Sequence, residues 1–408
     1  MKRILWTTAW TCLLLAGCAQ SHSQSKMEAM NRWESARNRI HYRLAQDAYD
    51  KGQWNLCRDQ LGKVLASEVP FVPAHLLAAK LAMREGRYDE AHDYLDLAAK
   101  ASPELADVWY GQAMLAEQGG DIDSALRDAQ KAMERDPATP EYLLCVAELE
   151  VRAGEPDRAL ATLEAVSQRF SMHAGVQSAL ADLYGLKNDY AAAARCLQRI
   201  VLTSPEDLEI RERLSVCLSR AGRHEDALPL LVALSEKNDT NTPAVQAALG
   251  YSYMQLGRYP QAEAAYARLC KDQPGNAQWN FHLAECYAVQ NEDKAALERL
   301  ERVFRVSSDH GEARALAGYL CYAHGDLARA EEHLRAAIDR VDNPALVALV
   351  LTETLRAAGK DKEADECWAE FGGDVVATGQ KGLAAEVAVV KPATWTLTGR
   401  QPREDMKR

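Results

Sequence analysis

One position recurs through this chain at an almost fixed interval, and it limits the fold more than any other feature. Gly52, Gly86, Gly120, Gly154, Asn188, Gly222, Gly257, Asn291, Gly325 and Gly359 stand 34 residues apart, with one step of 35 after Gly222. Glycine and asparagine take the left-handed conformation that ends a helix more readily than other residues. One backbone requirement therefore repeats at one spacing. Five residues beyond each comes a small side chain: Cys57, Ala91, Ala125, Ala159, Ala193, Ala227, Ala262, Ala296, Ala330 and Ala364. Anything larger there would push apart two helices that nearly touch.

The segments between these turns read as helices. Four residues beyond the small side chain lies an apolar group, such as Leu61, Leu95, Leu163, Leu197, Leu231, Tyr266, Leu300, Leu334 or Trp368. Three further on come Val64, Ala98, Ala132, Val166, Ile200, Leu234, Leu269, Val303 and Ala337. That i, i+4, i+7 stripe predicts an amphipathic helix with one buried face. Pro103, Pro137, Pro205 and Pro274 then end the second helix, because the residue before proline avoids the helical region. Upstream of each turn a first helix carries its own stripe, including Leu44, Tyr184, Leu214, Leu249, Tyr253, Leu283, Tyr287 and Leu351. Each unit is helix, turn, helix. A lone hairpin cannot cover its apolar face, so each must stack on the next.

This pattern resembles the tetratricopeptide repeat family. The match is fullest at 243–276, where Leu249, Gly250, Tyr253, Gly257, Tyr259, Ala262, Tyr266, Leu269 and Pro274 occupy the family's signature places. Trp109 stands where the signature tryptophan falls in its repeat, whereas Pro156 and His224 replace the usual aromatic. The resemblance implies an all-α, right-handed superhelical solenoid of about ten repeats over 38–371. It also implies a concave groove, lined by the first helix of each repeat, that binds proteins or peptides. Mapped onto this chain, the groove-facing places hold Tyr42, Tyr49, Leu76, Met83, Tyr110 and Met114 in the first three repeats. Repeats seven to nine supply Tyr251, Met254, Phe281, Tyr319 and Tyr322, and the middle supplies Glu141, Glu148, Asp182, Glu209 and Glu212. Two aromatic and methionine patches flanking an acidic stretch suit peptide capture; packing against the adjacent repeat is the alternative for each of these side chains. The Lys and Asn set with which some family members clamp a carboxylate terminus is missing.

The two ends carry different signals. Lys2 and Arg3 precede an apolar stretch, Ile4 to Leu15, too short to span a bilayer, and Leu15-Ala16-Gly17-Cys18 resembles the bacterial lipobox. That resemblance implies a signal peptide over 1–17, acylation of Cys18 and, with Ala19 after it, an outer-membrane location facing the periplasm. Residues 18–25 read as the lipidated cysteine and a tether, and 26–37 as an N-terminal capping helix. Beyond Phe371, Gly372-Gly373 breaks the pattern; 372–408 reads as a partial cap, through Leu383, Val387 and Val390, and a disordered tail from Pro392. A hinge is expected where the extra residue falls, at Asn238 to Thr242.

Chemistry is not indicated. The ten histidines are scattered, and no H-E-x-x-H, phosphate-cradling glycine loop or G-x-S-x-G occurs, so neither an enzyme nor a cofactor nor a metal is expected. Without C-x-x-C, the eight cysteines beyond Cys18 read as small buried thiols, with disulfides Cys196–Cys217 and Cys270–Cys286 as the alternative. The net charge of −11 opposes nonspecific nucleic-acid binding. The expected role is an envelope-anchored scaffold for protein or peptide partners, of the kind that serves pilus or secretion assembly, polysaccharide export or outer-membrane assembly. A glycan-binding envelope protein and a regulatory subunit of an envelope enzyme are the alternatives.

Overall fold

A computed structural model describes residues 2–67, 69–236 and 241–371, with side chains from residue 26 onward. Among these residues twenty α-helices and no strands are found. The chain divides into two compact units, 1–183 and 184–408.

The first unit is a run of helical hairpins: α1 (Lys2–Asp50) with α2 (Trp54–Leu65), α3 (Val72–Arg84) with α4 (Tyr88–Ala101), α5 (Ala106–Gln118) with α6 (Ile122–Arg135), and α7 (Pro140–Arg152) with α8 (Pro156–Glu164). α9 (Ala174–Leu186) runs across the division. The second unit repeats the plan with α10 (Tyr190–Thr203), α11 (Leu208–Arg220) and α12 (His224–Ser235), then α13 (Pro243–Gln255) and α14 (Tyr259–Asp272). It continues through α15 (Ala277–Val289) and α16 (Asp293–Val306), α17 (Gly311–Ala323) and α18 (Leu327–Ala337), and α19 (Pro344–Ala357) and α20 (Asp361–Phe371).

The turn chemistry behaves as the spacing predicts. All ten turn residues have positive φ, from 58° at Asn188 to 82° at Gly154. Each closes the first helix by the same pair of bonds; at Gly257, its own N–H donates to Met254 O and Arg258 N–H donates to Tyr253 O. These satisfy carbonyls that a helix end would otherwise leave open. All ten small residues after the turns are fully buried. Helices α4, α6, α10 and α14 each end two residues before Pro103, Pro137, Pro205 and Pro274, with the intervening residue near φ −131° to −150°. The stripe leucines Leu61, Leu95, Leu163, Leu197, Leu231, Leu300 and Leu334 are buried, each worth about 1.5–3 kcal/mol relative to exposure.

Two local expectations need correction. Leu44 is exposed, and Ala45 and Ala48 face the core in its place, because α2 covers only one side of α1. Helix α8 stops at Glu164 and leaves Val166 in a turn, where the Ser167 hydroxyl donates to Glu164 O at 2.8 Å and competes with helical pairing. The expected hinge falls largely, and the expected C-terminal cap and tail wholly, outside the described residues. The eight cysteines from Cys57 to Cys367 carry free thiols; all are buried except Cys217, which is half-buried.

A buried histidine leads to the expectation that the second unit loses stability in acid. His333 stacks on Phe304, with centroids 5.5 Å apart, and its Nδ1 accepts from Arg314 Nη1 at 3.0 Å. Burial, and after it the Arg314 charge, hold its pKa below the ordinary 6.5. The unfolded chain therefore takes up this proton first as pH falls. Stability from His333 is complete above 6.5 and is lost as pH drops from there through the folded value. His224 and His310 are lowered by burial in the same way, whereas burial raises the Glu285 carboxyl and acts in the opposite sense. Thermal melts between about pH 7.5 and 5.5 should show a falling midpoint, and His333→Gln should remove part of that fall. An identical fall in the variant would exclude His333 as a contributor.

Candidate functional site

Within the second unit, a cavity of about 660 Å³ opens among α11, α13 and α15, the first helices of three successive hairpins. That volume lies within the span of roughly 300–1,000 Å³ usual for ligand sites. Its walls are aromatic. Tyr251 comes from α13, Trp279 and His282 from α15, Tyr266 from α14 and Tyr190 from α10; Ala244, Ala247 and Ala248 form an apolar face of α13.

Each wall is held from behind. Tyr266 is buried and lies flat on His282, with centroids 5.1 Å apart and planes 28° apart. It reaches that place because Gly250 has no side chain; a Cβ there would sit 2.8 Å from Tyr266 Cζ. Burial pushes the Tyr266 phenol well above its usual pKa, so it is neutral at any physiological pH. Gln278 Nε2 donates to His282 Nε2 at 2.8 Å, which makes Nδ1 the protonated ring nitrogen that donates to Glu285 Oε2, also at 2.8 Å. The imidazole plane is thereby fixed by a bond at each nitrogen.

The opposite end is polar. Arg220 Nη1 donates to Tyr190 Oη at 2.8 Å, and Tyr190 Oη donates to Asn188 Oδ1 at 2.8 Å. The Arg220 guanidinium also lies 5.2 Å from the Tyr190 ring centre. Beneath this end Ser219 Oγ and Ser252 Oγ are 2.8 Å apart, and Ser219 Oγ donates to Ala248 O at 3.2 Å. This buried hydroxyl pair joins α11 to α13 and leaves no unpaired donor there. The Ser252 hydroxyl also lies 3.4 Å from His224 Nδ1, but it is fully buried. The cavity's means of recognition are aromatic faces, a cation and an amide, in an apolar recess.

The residues expected to line a groove divide into four groups. Tyr251 is 42% exposed and lines the cavity. Met254, Phe281 and Tyr319 are only 6%, 4% and 6% exposed, which corrects their reading as accessible groove residues. Phe281 packs on His310 of the next hairpin at 4.9 Å, and Met254 lies 3.4 Å from the Cys286 thiol, so neighbouring repeats occupy the faces that would have met a ligand. Tyr322 is half-buried. In the first unit Tyr42, Tyr49, Leu76, Met83, Tyr110 and Met114 are all half-buried. Tyr42 meets Phe71 edge-on at 5.3 Å, Tyr49 meets Trp54 at 5.4 Å, and Tyr110 lies against Tyr142 at 5.4 Å. Glu141, Glu148, Asp182 and Glu209 are exposed, and Glu212 accepts from Thr242 Oγ1 at 2.6 Å.

Tyr190, Trp279, His282 and Arg220 were not singled out from the sequence as binding residues. Trp279 and His282 lie three apart on one helix, a spacing that puts both on one face. That signal was available, but Phe281 beside them was the more obvious aromatic. Cys18 and its chemistry fall among residues whose side chains lie outside the described set.

With the geometry in place, similarity to known proteins is informative. Sequence signatures described as Tetratricopeptide repeat match residues 42–106, 76–142, 110–171, 247–298 and 294–343, and a second of the same description matches 186–250. Over 188 residues the chain is 28% identical to cellulose synthase 2 operon protein C of Komagataeibacter xylinus, covering 45% of this chain and 14% of that one. Over 245 residues it is 26% identical to cellulose synthase operon protein C of Pseudomonas fluorescens (strain SBW25), covering 58% and 18%. The chain therefore spans less than a fifth of the length of these two curated relatives. Among solved structures, a tetratricopeptide repeat protein from Parabacteroides merdae is 18% identical, with a TM-score of 0.45 over 61% of this chain and 98% of that one. Since the matched signatures extend over more than half of the sequence, with the turns, small residues and proline stops all in register, this chain belongs to the tetratricopeptide repeat family.

Proposed function

We propose that this chain is a binding scaffold of the bacterial cell envelope, lipid-anchored through Cys18, that captures a segment of a partner protein in the α11–α13–α15 cavity. The observation that carries the reading is the cavity itself: rigid aromatic walls around an apolar recess, on the first helices of consecutive repeats. Tyr and Trp supply large contact areas at little entropic cost, and they dominate measured binding energies at protein interfaces. The recess admits one bulky apolar side chain of the bound segment. The relatives named for cellulose synthase operons, together with the lipobox-like Leu15-Ala16-Gly17-Cys18, support a place in a polysaccharide-handling envelope complex.

A glycan is the second reading, favoured by the Tyr251 and Trp279 rings on the cavity wall, against which sugar rings could stack. One experiment separates the two. Envelope proteins are captured after mild crosslinking with the wild-type chain and with Tyr251→Ala/Trp279→Ala, and both proteins are titrated with cello-oligosaccharides. A protein partner held by the wild type and weakened about 30-fold or more in the variant is the expected result. Equal capture by both would remove the cavity from the function. Saturable oligosaccharide binding lost in the variant would replace the peptide with a sugar.

A further inference from the structure

Helix α1 is far longer than its partner. Its 49 residues extend about 73 Å, against about 18 Å for the 12 residues of α2. Among the described side chains of α1, which begin at Lys26, the first buried one is Asn38; none from Lys26 to Arg37 is buried. This uncovered part is not polar all round. Met27, Met30, Trp33, Ile40 and Leu44 are 49–62% exposed, and they make up 5 of the 16 exposed large apolar side chains among the described residues. At 100° per residue, Met30, Trp33, Ile40 and Leu44 fall within an arc of about 80°. Scattered exposed apolar residues are ordinary, but a continuous stripe is not.

A second pattern flanks the stripe. Arg32, Arg39 and Arg43 fall within about 40° of one another, on the side of the stripe away from the buried face. Lys26 and Arg37 lie within the stripe itself, and the Arg37 guanidinium stands 5.0 Å from the centre of the exposed Trp33 ring. From Lys26 to Leu44 there are five Lys or Arg against Glu28 and Glu34, in a chain whose net charge is −11. The charge balance of the molecule is thus reversed over the stretch that exposes its apolar side chains.

We infer that this face of α1 lies on the surface of an anionic phospholipid bilayer. Met30, Trp33, Ile40 and Leu44 enter the boundary between headgroups and acyl chains, and the arginine row meets the phosphate groups. Arginine stems cover apolar surface while their charged heads stay at the headgroup level, which suits residues placed beside such a stripe. Charge decides against a second copy of the chain, since pairing two stripes would draw two cationic flanks toward each other. Acylation of Cys18 is not required, and the inference is independent of what the α11–α13–α15 cavity binds.

The test follows the helix itself rather than total binding, so that Ile4–Leu15 cannot mimic the result. Hydrogen exchange of residues 26–44 is measured by mass spectrometry on the full chain carrying Cys18→Ser. The protein is studied free, with phosphatidylcholine vesicles, and with vesicles containing one-third phosphatidylglycerol. Exchange over 26–44 should slow with the anionic vesicles only. Each arginine removed weakens partitioning about fivefold, so Arg32→Gln/Arg39→Gln/Arg43→Gln should lose the slowing, as should Trp33→Glu/Ile40→Glu. Exchange unchanged by anionic vesicles, or slowed equally by phosphatidylcholine, would overturn the inference. Slowing that depends on protein concentration without lipid would assign the stripe to a second copy and overturn it as well.

Discussion

Phe281→Ala should lower the unfolding free energy of the second unit by about 3–5 kcal/mol. The ring is 4% exposed and bridges α15 to His310 at the start of the next hairpin. Its removal leaves a cavity between two repeats that backbone movement can fill only in part. Tyr251→Ala, in contrast, removes a ring that is 42% exposed and should change stability by about 0.5 kcal/mol. Urea unfolding followed by circular dichroism compares the two directly. If both variants unfold at the same urea concentration, the division of these aromatics into core and cavity is wrong. The contrast also governs how binding is tested. A variant that combines Tyr251, Phe281 and Tyr319 changes would lose partners by unfolding, whatever the cavity does.

Ala262→Phe should cost about 3 kcal/mol, at the upper end of what overpacking inflicts. Ala262 is fully buried and lies in the α13–α14 hairpin, where the small residue permits close approach of the two helices. A phenyl ring there has no free volume to enter and must separate them. Repeats depend on nearest neighbours, so the damage should be local at first. Hydrogen exchange should accelerate in α13 and α14 and less in α19 and α20. Uniform acceleration would mean that the second unit unfolds as one cooperative body, and no change would mean that α13 and α14 do not meet at Ala262.

Local rules carried the fold, and the limits of those rules explain the errors in the site. A positive φ is a property of one residue, so Gly52 and Asn188 declare it wherever they occur. The proline stops are equally local. Exposure at a groove is not. Tyr251 and Phe281 both sit on first helices and both looked accessible, yet one borders the cavity and the other fills the joint with the next repeat. Helical periodicity gives the angle of a side chain about its own axis but not the position of the neighbouring helix. Tyr266 shows the same limit from the other side. Read as a stripe residue, it is buried as expected, but it also forms a cavity wall because Gly250 lets its ring lie against α13. The uncovered stripe on α1 escaped for a related reason: its residues are ordinary for a packed helix, and they stay exposed because α2 is short and covers only one side of α1 among the described residues.

The sequence by itself determined the repeat, its period, the ten left-handed turns, the small residue at each helix contact and hence an all-helical tandem array. These follow from steric limits on single residues and from one amphipathic period, which hold in any surroundings. The tertiary structure alone decided which aromatics stay exposed, where three first helices leave a cavity between them, and how much of α1 remains uncovered. Those outcomes depend on the distance and angle between helices, which packing sets through contacts among residues from different repeats.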